Sequence, residues 1–102
     1  MKNNYEQMSD NELYYLLNSD KKTAERAFSE LYSRHSPRIY AYCRRFLGNR
    51  EEAQDVYQEA FVRFFKSAKQ QREMTNVPAF LLKIARNLCV NEKKKRKSEL
   101  TF

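Results

Sequence analysis

From Asn49 to Ala68 the sequence reads NREEAQDVYQEAFVRFFKSA. At about 100° of rotation per residue, Ala53, Val56, Tyr57, Ala60, Phe61, Phe64 and Ala68 fall on one broad stripe. Apolar residues at i, i+3, i+4 and i+7 suit a helix pressed into a core, whereas a half-buried strand would alternate them at every second position. Asn49 is a natural cap for the first turn, and Glu52 has the length to reach back to the cap's amide. The opposite face gathers Glu51, Asp55, Gln58, Glu59 and Val62, an acidic and amide surface with one aliphatic. The whole chain carries a formal charge of +7, so a coherent acidic face on this helix needs a reason.

The flanking sequence supplies helices to cover the stripe. Ser9 and Glu12 form a capping box ahead of Leu13, Leu16 and Leu17. After a polar break at residues 18–22, a second helix is expected from Thr23, with Ala24, Ala27, Phe28, Leu31 and His35 on one side. Pro37 marks either a new helix start or a kink in one long helix, since proline has no amide hydrogen. Beyond it Ile39, Tyr40, Cys43, Phe46 and Leu47 continue the stripe, and Gly48 offers a stop. Residues 69–76 lack periodicity and read as a loop. Thr75 or Asn76 then caps a final helix with Pro78 in its first turn and Val77, Leu81, Ile84, Ala85 and Leu88 buried, Phe80 beside them. One glycine and two prolines in 102 residues leave little room for turns. The expected fold is all-α, a compact bundle of about four to five helices. Residues 1–8 are expected to be a flexible N-terminus, 9–97 the domain, and 98–102 the start of a linker or the end of an expressed fragment.

Composition narrows the function. A sequence pI near 9.5 favours an acidic partner, nucleic acid before an anionic membrane. Cys43 and Cys89 are too few and too far apart for a disulfide framework or zinc motif and read as small buried hydrophobes. No apolar run reaches the roughly 20 residues of a membrane span, and MKNNYEQMSD lacks a signal-peptide core. A reduced, cytoplasmic protein is expected. Catalysis finds little support. Glu51, Asp55 and Glu59 lie at i, i+4, i+8, but a helical carboxylate metal site normally adds a Glu-x-x-His, and His35 is the single histidine, placed on an apolar stripe. Gly48 alone cannot build a phosphate loop. No metal, cofactor or catalytic residue is expected.

The last helix has a polar face of its own. Lys83, Arg86, Asn87, Val90, Lys93, Lys94 and Lys97 share one sector, and from Lys93 to Phe102 five cations stand against one anion. Lysines alone bind any polyanion. Asn87 among them can hydrogen-bond a base edge instead of a phosphate. The preceding loop, with Lys69, Gln70, Gln71, Arg72, Met74, Thr75 and Asn76, has the polar character to hold an unstacked base.

Four stretches together resemble the region 2 domain of bacterial sigma factors of the extracytoplasmic-function group. AERAFSELYSRHSPRIYAYCRRFLGN is similar to its first conserved segment. REEAQDVYQEAFVRFF resembles its acidic core-binding segment, with Asp55, Gln58 and Glu59 on the D-x-x-Q-E pattern. PAFLLKIARNLCVNEKKKRK resembles the segment ending in an aliphatic-Ala-Arg-Asn run and a basic tail, and SDNELYYLLNSD fits the lead-in helix. The likeness runs from Ser9 to Lys97. It implies docking on the coiled coil of the β′ clamp of core RNA polymerase through Asp55, Gln58 and Glu59. It also implies reading and melting of the −10 promoter element, with a base of the non-template strand flipped into the loop. Asn87 would touch a promoter base with Lys83 and Arg86 beside it, while Lys93, Lys94 and Lys97 would hold phosphates. An anti-sigma factor is a further partner such factors often have.

The sequence departs from the pattern in three places. Gln54 stands where the family often has Glu, and Phe80 where a Trp is usual. The second, −35-reading domain does not follow, and the basic end running into Ser98 and Glu99 reads as a fragment cut at an interdomain linker. The rival reading is a helical nucleic-acid-binding or protein-interaction module without promoter specificity. The acidic face argues against it, because outward carboxylates repel phosphate. A membrane role would want aromatics on the rim of the cationic face, which lacks them.

Overall fold

The computed structural model describes residues 4–70 and 73–100, and each of its four α-helices starts at a capping side chain. Helix α1 spans Asp10–Leu16. The Ser9 hydroxyl accepts from the Glu12 amide at 3.1 Å, and the Ser9 amide donates to Glu12 Oε1 at 2.9 Å. Those bonds with Ser9 hold the Glu12 carboxyl below its ordinary pKa. Helix α2 spans Lys21–Leu47, starting two residues ahead of the expected Thr23, because Asp20 accepts the Thr23 amide and is itself the cap. Helix α3, Arg50–Ser67, begins at Asn49, whose Oδ1 takes the Glu52 amide at 3.0 Å. Helix α4 runs Val77–Leu100, and Asn76 caps it by accepting from the Ala79 amide.

Two expectations about the middle of the chain resolve here. Pro37 neither starts a helix nor ends one; α2 passes through it unbroken for 27 residues. The missing amide leaves the Ser33 carbonyl without its intrahelical donor. Gly48 ends α2 in the left-handed region at φ 68°, its amide donating to Arg44 O at 2.9 Å. Nothing lies within 4 Å of where a Cβ would stand, so a side chain there would meet backbone strain alone. This tight corner folds α2 and α3 back to back.

Helix α3 is the centre of the core. Ala53, Val56, Ala60, Phe61 and Phe64 are buried, as periodicity predicts. Rings extend outward from them. Phe61 meets Tyr32 edge-on at 4.9 Å between centroids, and Phe64 meets Tyr14 at 5.4 Å and Phe80 at 6.1 Å. Buried hydroxyls need partners. Tyr14 pairs with Ser67 at 2.8 Å, and Tyr32 with Tyr57 at 2.7 Å. The bond to Tyr57, with burial, pushes the Tyr32 phenol up to about 12. Cys43 of α2 and Cys89 of α4 are fully buried free thiols. Burial pushes Cys43 up to about 12 and raises Cys89.

Both ends of the described chain are structured. Tyr5–Gln7 form a 3-10 turn, and Arg34 Nη2 donates to the carbonyls of Tyr5 and Glu6, both at 3.1 Å. Arg34 also binds Glu30 and Asp10, at 2.8 and 3.1 Å. The described part of the tract expected to be flexible is therefore tied to α2. His35 stands in the same corner, its Nε2 3.0 Å from Asp10 Oδ1 but out of line for a hydrogen bond. At the other end α4 continues to Leu100, so Ser98 and Glu99 are helical. Its buried positions end at Cys89, yet Arg96 donates to Leu47 O at 3.1 Å and pairs with Glu52 at 2.7 Å. Glu52 therefore does not close a capping box with Asn49; its carboxylate is drawn to α4. Among the described residues no helix is long and apolar enough to cross a membrane.

Candidate functional site

The acidic face of α3 is open. Glu51, Asp55, Gln58 and Glu59 are exposed, and Val62 is 44% exposed, one of two large hydrophobics so placed among the described residues. Val62 edges an apolar groove of about 680 Å3 whose floor includes Leu17, Phe28 and Phe65. Arg63 borders this face; its Nε donates to Glu59 Oε2 at 3.0 Å.

On α4, Lys83, Arg86, Asn87, Lys93, Lys94 and Lys97 are exposed. Val90 is half-buried at the edge of the bundle, so it contributes less surface than its place in the sector suggests. Lys93 is partly engaged, its ammonium 4.9 Å above the centre of the Phe46 ring of α2.

The segment between α3 and α4 is only partly the loop expected. Ala68–Gln70 form a 3-10 turn, with Lys69 and Gln70 exposed. Met74 is 8% exposed and belongs to the core. It cannot line an open base pocket, because a lone apolar side chain in a polar segment gains more from the bundle than from water. Asn76 spends its carbonyl oxygen on the α4 cap, while Thr75 is exposed. Gln71 and Arg72 lie outside the described residues.

The structure adds a cleft that periodicity does not reveal. A cavity of about 440 Å3 opens between the end of α3 and the polar face of α4. Arg63, Lys66 and Gln70 line it from one side, Lys83, Asn87 and Asn91 from the other, with Phe80 in the wall. Its chemistry is threefold. Arg63, Lys66 and Lys83 are cations for phosphate, Gln70, Asn87 and Asn91 carry paired donors and acceptors for base edges, and Phe80 offers a ring to stack on. Of the residues expected to meet nucleic acid, the cleft brings Gln70, Lys83 and Asn87 together. Arg86, Val90, Lys93, Lys94, Lys97, Lys69 and Thr75 lie outside its lining. Sequence reading missed Arg63, Lys66 and Asn91. Asn91 was within reach as the i+4 neighbour of Asn87. Arg63 and Lys66 become visible only once α3 and α4 are packed.

Among the described residues no group of three His, Cys, Asp or Glu side chains is placed to hold a metal ion. The family model described as Sigma-70 region 2 matches residues 31–99. The ECF RNA polymerase sigma factor SigW of Bacillus subtilis (strain 168) is 33% identical over 79 residues, covering 78% of this chain. The chain spans 42% of that relative's length. No solved structure matches.

Proposed function

The chain belongs to the Sigma-70 region 2 family, and on that premise we propose that it is the part of a sigma factor that docks on core RNA polymerase and reads the −10 promoter element. The observation that carries the reading is the pairing of two unlike surfaces on adjacent helices. An open acidic face on α3 stands beside a cationic, amide-lined cleft shared by α3 and α4. A domain that only bound polyanions would be weakened by the first surface. One that only bound protein would have little use for the second.

Docking would use Asp55, Gln58 and Glu59 against the β′ clamp coiled coil, with Glu51 and Val62 at the margin. Non-template DNA would follow the cleft. Flipping a base costs a few kcal/mol, and stacking on an aromatic ring returns about 1–3 kcal/mol. Phe80, half-buried and packed on Phe64, would take that role with a ring smaller than the usual Trp. Asn87 would read the base edge, and Arg63, Lys66 and Lys83 would take the phosphates on either side. Lys94 and Lys97, farther along α4, would hold duplex phosphates upstream.

Two measurements test the proposal. Asp55→Ala combined with Gln58→Ala should abolish co-purification with core polymerase while leaving the melting temperature unchanged, since both side chains are exposed. Retention at the wild-type level would refute the docking surface. Asn87→Ala should cost about 1–3 kcal/mol of discrimination between cognate and altered −10 strands, the value of one good base contact. Equal losses on cognate and scrambled strands would reassign Asn87 to non-specific binding.

A further inference from the structure

Arg63 stands on the ridge between the two surfaces. On one side it lines the cleft with Lys66, Lys83 and Asn87. On the other it lines a shallow depression with Asp55, Glu59, Glu92 and Lys95. Its Nε–H is committed to Glu59 Oε2 at 3.0 Å, one turn earlier on α3. The two side chains are 58% and 50% exposed, so neither is locked in place by packing.

We propose that Glu59 is a shared residue coupling the two surfaces: in the free domain its carboxylate occupies Arg63, and a partner cation that takes Glu59 releases Arg63 to nucleic-acid phosphate. The inference rests on the reading above, in which the α3 face meets protein and the cleft meets single-stranded DNA. Arginine holds a phosphate best through two parallel N–H bonds. With Nε taken, one of the guanidinium's two forks, that of Nε and one Nη, is closed to phosphate, and the carboxylate repels an anion that approaches the other. Docking the acidic face gives Glu59 another partner and removes both obstacles. The same argument runs backwards. DNA that captures Arg63 leaves Glu59 free for the docking partner, and the two affinities must rise by the same factor. An exposed pair separated by one helical turn is weak, as a switch operated by a binding partner requires; a buried pair would not open.

The coupling is measurable without polymerase, because Glu59→Gln mimics release. Fluorescence anisotropy with a labelled single-stranded −10 oligonucleotide at low salt would compare the intact chain with Glu59→Gln, Arg63→Ala and the double variant, each checked for folding by thermal melt. Glu59→Gln should tighten binding about 1.5- to 5-fold, the range that an exposed ion pair supports. In the Arg63→Ala background the same change should give no gain. An equal gain in both backgrounds would overturn the coupling, since removal of one negative charge would then explain everything. A separate outcome strikes the underlying reading. If Arg63→Ala and Asn87→Ala each leave oligonucleotide affinity unchanged, the cleft is not the DNA site and both claims fall. If they weaken binding but the Glu59→Gln gain survives in Arg63→Ala, only the coupling is lost.

Discussion

Glu52 shows how a side chain's role depends on what reaches it from far along the chain. Its spacing from Asn49 predicts a capping box, and half of one forms; the carboxylate instead meets Arg96, 44 positions on. Arg96 also serves Leu47 O, a carbonyl at the end of α2 that has no intrahelical partner. Arg96→Ala should therefore destabilise the domain by about 1 kcal/mol, the charged hydrogen bonds being discounted for partial exposure; a denaturant titration would read it. Cys43 makes a second prediction at this scale. Its thiol ionises near 9.0 in its ordinary environment and near 12 in the fold. The folded state thus binds more protons above pH 9, and stability falls as pH rises, by at most about 1.4 kcal/mol per unit. Cys43→Ala should flatten the decline of melting temperature between pH 9 and 10. Since the thiolate is the reactive form, native Cys43 should resist thiol reagents at pH 8 and react once unfolded.

At the level of elements, the apolar stripes of α2, α3 and α4 were legible because a 3.6-residue period survives any arrangement of neighbours. The α3 stripe from Ala53 to Phe64 is buried as read, and its opposite face is open. Inter-element events were not legible. Met74 carries no periodicity, and its burial depends on where α4 lands. Arg63 and Lys66 face a cleft that exists only between two helices. Pro37 was ambiguous for a different reason: propensity opposes a helix there, but Ile39 and Cys43 on the core side hold α2 together across it. That conflict predicts that Pro37→Ala, at an exposed position, stabilises the domain by about 1–3 kcal/mol by restoring the missing hydrogen bond. Chemical denaturation would show it as a higher midpoint with an unchanged slope. On α4, Lys94→Ala should weaken cognate and scrambled DNA alike and reduce the salt slope by about one counterion, as a titration at several salt concentrations would reveal.

The molecule as a whole is elongated, 60 Å by 24 Å by 22 Å. That shape follows from α2 and α4, helices of 27 and 24 residues at about 1.5 Å per residue. The all-α architecture and the two unlike surfaces could be read from the sequence. The way the basic end of α4 lies back on the α2–α3 corner through Arg96 and Lys93 could not, since it joins residues nearly 50 positions apart. The packing also has a spectroscopic consequence. The sequence holds seven tyrosines and no tryptophan, so emission excited beyond the phenylalanine band comes from phenols. Tyr14 is bonded to Ser67, which lines the cleft. Tyr57, on the helix that presents Gln58 outward, bonds to Tyr32 of α2. An oligonucleotide settling into the cleft should therefore change the tyrosine signal through Ser67, and Tyr14→Phe should remove that part of the response, making the unlabelled chain its own optical probe.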